Sequence, residues 1–268
     1  MSTIGMGALL ALIVCTGCTV KNVIYPVPPV KVGAPPPSFD EVELELDQAT
    51  RVVCWHRPGD PRSDDPALIF FHGNGENLET LKWAGLYGQL AALDGPVLVV
   101  DYPGYGRSTG QPAEKSLKLA AEGALLWMAD RYEERLLVPA GWSLGAALAI
   151  HLAATHPEQV AGGIAISPWT SLHDVATAHF PHWLVAVGLR ENYDSLGAAK
   201  GIRSPMLVIH GTADRIIPAS HGERLAGALS VARWVPVEGA GHNDVLGFPR
   251  VWREITDFVS DLRSQENV

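Results

Sequence analysis

Apolar positions along this chain fall into two patterns. Between residues 41 and 56 they first alternate with polar ones. Glu41-Val42-Glu43-Leu44-Glu45-Leu46 changes character at every step, and Arg51-Val52-Val53-Cys54-Trp55-His56 follows after a short link. Alternation with a period of two predicts a strand with one wetted face, and the short link predicts an antiparallel partner. Beyond residue 66 the runs are unbroken: Ala67–Phe71, Val97–Val100, Leu136–Ala140, Gly163–Ile166 and Met206–Ile209. Strands covered on both faces of a parallel sheet read this way. Stretches of helical length separate them, at Leu78–Leu93, Ala113–Tyr132, Leu144–Thr155 and Ala219–Leu229, before a last strand at Val231–Val237 and a last helix at Val251–Leu262. Strands alternating with helices predict an α/β protein, a mostly parallel doubly wound sheet led by antiparallel strands. In such sheets ligands bind beyond the carboxyl ends of the strands.

The chain ahead of residue 39 is built differently. Gly5–Val14 is an apolar run followed by Cys15-Thr16-Gly17-Cys18-Thr19. A spanning helix needs about 20 residues, so this run is short for one and fits the core of an export signal. Residues 1–18 resemble a bacterial lipoprotein signal, which implies an exported protein lipidated at Cys18 and held at a membrane by its N-terminus. Two features depart from that pattern: Cys15 stands where such signals carry Leu, and no Lys or Arg precedes Lys21. The alternative is an uncleaved apolar anchor, or a tail packed on the domain. Residues 19–38 carry Pro26, Pro28, Pro29, Pro35, Pro36 and Pro37, a density that predicts an extended spacer. Residues 39–268 are then one domain, within the size a single α/β core can reach.

Composition narrows the function. Hydrophobic residues make up 47% and charged residues 18%, as in ordinary globular chains. A formal net charge of −9 argues against a nucleic-acid partner, because phosphate binding needs clustered Lys and Arg. Of three cysteines, two lie in the N-terminal segment, so a disulfide framework is not expected, and Cys54 on a strand reads as a buried thiol. No HxxxH or HExxH spacing occurs, and the single CxxC pair, Cys15 and Cys18, lies in the signal-like segment, so neither a metal nor another cofactor is expected.

The chemistry gathers just after the strand runs. Gly141-Trp142-Ser143-Leu144-Gly145-Ala146 follows the third run and matches G-x-S-x-G. A serine lifted clear of the sheet on a strained strand-to-helix turn requires small neighbours, because backbone atoms crowd there. His72-Gly73-Asn74-Gly75 follows the first run, and backbone N–H groups of Asn74 and Leu144 are assigned to an oxyanion hole. His210-Gly211-Thr212-Ala213-Asp214 follows the fifth, and Gly239-Ala240-Gly241-His242 follows the last strand. This supplies nucleophile Ser143, orienting acid Asp214 and general base His242 in the order Ser, Asp, His. A serine hydroxyl attacks at neutral pH only if an imidazole takes its proton and a carboxylate fixes the imidazole's tautomer. His72 and His210 read as structural, hydrogen-bonded to loop backbone. Asp244 is too close in sequence to His242 to be the preferred acid, and Asp101 lies on another loop.

Together the segments FFHGNGEN, DYPGYGRSTGQPAE, GWSLG, SPWTSLHDVA, VIHGTADRIIP and GAGHND resemble the short-cap α/β-hydrolase-domain serine hydrolases related to protein depalmitoylases. The resemblance runs from about Leu68 to about Phe258. It implies the α/β-hydrolase fold, the triad, the oxyanion loop, and hydrolysis of carboxylic esters or thioesters. Trp142 departs from it, standing where these relatives often have Arg, His or Tyr.

Residues 167–204 have the length of a small cap. Trp142, Trp169, Phe180 and Trp183 are candidates to line an acyl pocket, the alternative for the cap aromatics being that they pack the cap on the sheet. The expected partner is a small-molecule or acyl ester substrate. Two other readings stay open: a non-catalytic binding protein on the same fold, and a serine peptidase.

Overall fold

In the computed structural model, residues 24–266 are described. The signal-like segment 1–18, with Cys18, lies outside them. Eight strands form one sheet: β1 (Asp40–Glu45), β2 (Arg51–Arg57), β3 (Ala67–Phe71), β4 (Val97–Val100), β5 (Leu137–Trp142), β6 (Gly163–Ile166), β7 (Met206–Gly211) and β8 (Ala232–Val237). Their spatial order is β1-β2-β4-β3-β5-β6-β7-β8. β1 pairs antiparallel with β2, and β2 antiparallel with β4. From β4 through β8 every pairing is parallel.

The unbroken apolar runs have the physical cause the sequence suggested. In β3, Ala67, Ile69 and Phe71 face one core, while Leu68 and Phe70 face the other. The first core is covered by α3 (Glu114–Arg131), α4 (Leu144–Thr155), α7 (Ser195–Ala199) and α8 (Ser220–Ala228). The second is covered by α1 (Leu78–Trp83), α2 (Leu86–Ala91) and α9 (Pro249–Glu266). With both faces dry, no position in these strands can be polar without a partner.

Two expectations need correction. The helix expected over Leu78–Leu93 is broken into α1 and α2, because Gly85 adopts a left-handed φ of 75° between them, a conformation that interrupts the α-helical ladder. The proline-rich stretch is not a free spacer from residue 24 onward. Tyr25 and Val32 are buried, and the Tyr25 hydroxyl lies 2.8 Å from that of Tyr193. Asn77 Nδ2 donates to the Val30 carbonyl at 2.9 Å, and the Gly33 N–H donates to Glu79 Oε2 at 2.9 Å. Prolines prevent this segment from joining the sheet, but the apolar residues between them still seek cover.

Residues 167–204 carry α5 (Leu172–His179), α6 (His182–Gly188) and α7. Ser171 caps α5 by accepting from the Asp174 N–H at 3.0 Å, and Thr170 Oγ1 lies 2.9 Å from His221 Nδ1 on α8. The base of this excursion is therefore tied to the sheet's helical layer, above the carboxyl ends of β6 and β7. Among the described residues no helix is long and apolar enough to cross a membrane.

Candidate active site

Ser143 stands between the last residue of β5 and the first of α4, with φ 57° and ψ −113°. This backbone conformation is costly for a side chain with a Cβ and persists only where surroundings impose it. The surroundings are visible. The Ser143 N–H donates to the Ile166 carbonyl on β6 at 2.9 Å. A Cβ on Gly141 would stand 2.1 Å from the Gly145 carbonyl oxygen, and one on Gly145 would stand 2.0 Å from that of Phe71. Only glycine lets strand, turn and helix approach so closely. Glycines at these two positions are what the turn requires, as the motif implied.

The structure brings Ser143, His242 and Asp214 together. His242 Nε2 lies 3.0 Å from Ser143 Oγ, and His242 Nδ1 lies 2.7 Å from Asp214 Oδ2. All three residues are buried, none more than 8% exposed. With Nδ1–H donated to the carboxylate, Nε2 is left to accept the hydroxyl proton. Asp214 Oδ1 accepts from the N–H groups of Ile216 and Ile217, at 2.9 and 2.8 Å. Burial pushes the Asp214 carboxyl up, but hydrogen bonds from His210 and His242 and the Ile217 N–H outweigh it and hold the group well below the ordinary Asp range. Asp244, the rejected alternative, accepts from the Gly241 N–H at 2.7 Å and so braces the loop that carries His242.

The two assigned oxyanion donors are the N–H groups of Leu144 and Asn74. Leu144 opens α4, so its N–H has no carbonyl within the helix to bond. In the loop after β3, the Gly73 N–H is taken by Glu76 Oε2 at 3.1 Å. No acceptor for the N–H of Asn74 or Leu144 is found among the described residues. The Asn74 side chain is itself held, its Oδ1 accepting from the Tyr105 hydroxyl at 2.9 Å and its Nδ2 donating to the Ile24 carbonyl.

Of the four pocket candidates, one lies at the site. The Trp142 ring is tilted against His242, centroids 5.3 Å apart. It also covers Gly73 so closely that a Cβ there would meet it at 2.4 Å. Trp169 is buried in the core edge-on to Tyr193, 6.0 Å between centroids. Phe180 and Trp183 stand on the outside of the cap, 54% and 62% exposed. For Trp169 the packing alternative is the one observed.

His72 and His210 meet loop carbonyls as expected, those of Gly73 and Ile217, each at 2.8 Å, but their carboxylate partners and the part played by Glu76 were not legible in the sequence. His72 Nε2 lies 3.1 Å from Asp101 Oδ1, both fully buried. His210 Nε2, besides facing the Ile217 carbonyl at 2.8 Å, lies 3.3 Å from Asp214 Oδ2. Glu76 accepts from the Gly73 N–H and so closes the loop after β3. The first pair becomes visible only in the register: Phe71 and Val100 are partners, so the residues that follow them leave the sheet side by side.

A buried, hydrogen-bonded Ser-His-Asp set beyond the carboxyl edge of a doubly wound sheet is the arrangement of one large class of hydrolases. The chain belongs to the α/β-hydrolase family. The family model described as "alpha/beta hydrolase fold" matches residues 66–190. An uncharacterized protein of Mycobacterium tuberculosis is 34% identical over 78% of this chain and 74% of its own length. Alpha/beta hydrolase domain-containing protein 17B of Homo sapiens is 34% identical over 80% of this chain and 72% of its own. Among solved structures, the Pyrococcus furiosus esterase Pf2001 superposes with a TM-score of 0.71 at 20% identity, covering 88% of this chain and 98% of that one. The likeness to Pf2001 is one of fold.

Proposed function

We propose that this protein is a serine hydrolase that cleaves carboxylic ester or thioester bonds through an acyl-enzyme. The observation that carries the reading is the unbroken pair of hydrogen bonds, Ser143 Oγ to His242 Nε2 and His242 Nδ1 to Asp214 Oδ2. Ser143 Oγ attacks the substrate carbonyl as its proton passes to His242 Nε2, and the carbonyl oxygen takes up negative charge facing the N–H groups of Leu144 and Asn74. His242 returns that proton to the departing alcohol or thiol, leaving the acyl group on Ser143. Water then attacks the acyl carbon, giving its proton to His242, and collapse releases the carboxylic acid and restores the serine. Asp214 stays ionised throughout and balances the imidazolium formed in each half. A non-catalytic binding protein would have no use for this proton path.

The test is labelling with a fluorophosphonate probe together with hydrolysis of a p-nitrophenyl ester. The wild type should react stoichiometrically at Ser143, and Ser143→Ala should lose labelling and at least about 10³-fold of kcat with an unchanged melting temperature. A folded wild type that neither labels nor hydrolyses any ester or thioester offered would overturn the reading.

The N-terminal signal fits the same picture. We place the protein outside the cytoplasm, held at a membrane by a lipid on Cys18. Ile24 comes six residues after Cys18, so it lies no more than about 20 Å along the chain from such an anchor. Its carbonyl accepts from Asn74 of the oxyanion loop, which would keep the site close to the bilayer. Mass spectrometry of protein from its native host should show an acylated N-terminal Cys18. An N-terminus at Met1, or an unmodified Cys18, would end the proposal.

A further inference from the structure

The loop His72–Glu76 raises a question of direction. A backbone N–H serves an oxyanion only if its peptide plane is turned the right way, and a glycine beside it leaves that plane free to rotate. Gly73 occupies that place here. Its carbonyl lies 2.8 Å from His72 Nδ1. A carbonyl only accepts, so Nδ1 carries the proton and donates it. The Gly73 C=O and the Asn74 N–H belong to one planar trans peptide, in which they point in opposite directions. Drawing the carbonyl towards the buried ring of His72 therefore turns the Asn74 N–H away from it. The N–H on the other side of Gly73 is already taken by Glu76, so the loop offers Asn74 as its outward donor.

The ring that sets this direction is itself fixed. His72 and Asp101 follow the register partners Phe71 and Val100, and His72 Nε2 meets Asp101 Oδ1 at 3.1 Å. Tyr102 stacks on the imidazole at 4.1 Å between centroids and donates its hydroxyl to the His72 carbonyl. We propose that His72 and Asp101 form a buried positioning pair, Asp101 holding the His72 ring and His72 holding the Gly73–Asn74 peptide, so that the Asn74 N–H faces the developing oxyanion. The proposal rests on the serine-hydrolase reading and extends it. Beside His242–Asp214, which orients the base, His72–Asp101 thus orients an electrostatic donor, and neither of its residues touches substrate.

The test uses the full chain and p-nitrophenyl butyrate. His72→Phe keeps the ring and its stacking but removes the Nδ1–H. It should lower kcat by about 10²-fold, in the range for loss of one oxyanion donor, with KM within about threefold. An alkyl boronic acid, whose serine adduct places an oxygen in the oxyanion hole, should lose affinity by a similar factor. Asp101→Asn can still hold His72, its amide N–H donating to Nε2, and should stay within about fivefold of wild type, whereas Asp101→Leu should fall as far as His72→Phe. The proposal is overturned if His72→Phe retains kcat within about threefold while the wild type is active. It is also overturned if the two Asp101 variants are equally impaired and their losses follow melting temperature, as a purely structural pair would behave. Should His72→Phe fail to fold, the Asn against Leu contrast at position 101 decides alone. An inactive wild type would fail the hydrolase reading itself, a result separate from all of these.

Discussion

His210 and Asp214, four residues apart at the carboxyl end of β7, meet with Nε2 and Oδ2 3.3 Å from each other. The same His210 nitrogen faces the Ile217 carbonyl at 2.8 Å, so it must carry a proton and can only donate. Asp214 is thereby ringed by donors: His210 and His242 on Oδ2, the N–H groups of Ile216 and Ile217 on Oδ1. A carboxylate in that setting is stabilised as an anion and held in one orientation. The loop after β7 closes on it through the Ile217 backbone, which fixes both His210 and Asp214.

Asp214→Asn should lower kcat by about 10⁴-fold, because the amide supports the wrong imidazole tautomer. Asp244→Asn should cost far less, since its carboxylate braces Gly241 rather than the ring. Steady-state kinetics on one ester for both variants checks the assignment, and a larger loss at position 244 would reverse it. The depressed pKa of Asp214 adds a pH expectation. A carboxyl whose folded pKa is lowered favours the folded state above its unfolded value, about 3.9, and that contribution fades only as pH falls through the lower folded value. The difference in melting temperature between wild type and Asp214→Asn should therefore hold steady from pH 7 to about 5 and close only in stronger acid.

His56 carries the opposite kind of pH dependence. It is buried on β2 with Nε2 2.6 Å from the Tyr132 hydroxyl, and burial, with the Arg131 charge, pushes its pKa down to about 4. In the unfolded chain the ring takes a proton near pH 6.5. Acidification from there towards pH 4 thus favours unfolding, and the loss levels off below the folded value. His56→Gln should flatten the fall of melting temperature across this window. An equally steep fall in the variant would assign it to other groups.

Much of this architecture was legible because its cause is local. Five buried strands announce themselves as apolar runs, and the site residues fall on the loops after them. The candidate set could be picked from chain order, since Ser143, Asp214 and His242 each lie on a different strand-to-helix connection. What escaped depends on contacts distant in sequence. Nothing in the string around Asp101 says that its carboxyl meets His72, which takes the register of β3 against β4 to see. Nor does the proline-rich stretch reveal that Tyr25 reaches Tyr193, 168 residues away. The cap helices lacked a periodic signal because α6 is short and apolar nearly throughout.

The serine turn offers a steric test. Gly145→Ala would set a methyl group 2.0 Å from the Phe71 carbonyl oxygen and 2.8 Å from that of His72, both backbone atoms with little room to give. Overpacking of this kind costs on the order of 3 kcal/mol, and the displacement falls where β3 hands over to the oxyanion loop. Urea unfolding should show the lower stability, with kcat reduced in the fraction that folds. A variant of wild-type stability would mean that α4 can move off β3 freely, against the close contact described above.

Trp142 decides the last prediction, which concerns the acyl group. Its ring is wedged between Gly73 and His242, directly beside the place where a substrate carbonyl must sit. Each methylene of an acyl chain that finds an apolar wall contributes about 0.8 kcal/mol, so kcat/KM should climb with chain length while such a wall lasts. The cap spans only residues 167–204, and Phe180 and Trp183 face outward from it, so the wall is short. Wild type should favour short to medium acyl esters and level off or decline beyond them. Trp142→Ala opens space next to the nucleophile and should move the optimum towards longer chains, at a stability cost of about 3–5 kcal/mol. A second substitution separates shape from general damage. Gly73→Ala alone collides with the indole at 2.4 Å and should be disruptive, while Gly73→Ala in the Trp142→Ala background should be tolerated. The measurement is kcat/KM across a p-nitrophenyl ester series from acetate to palmitate for each variant. A steady rise through palmitate in wild type would contradict a short pocket, and an unchanged optimum in Trp142→Ala would show that the indole packs the site without bounding it.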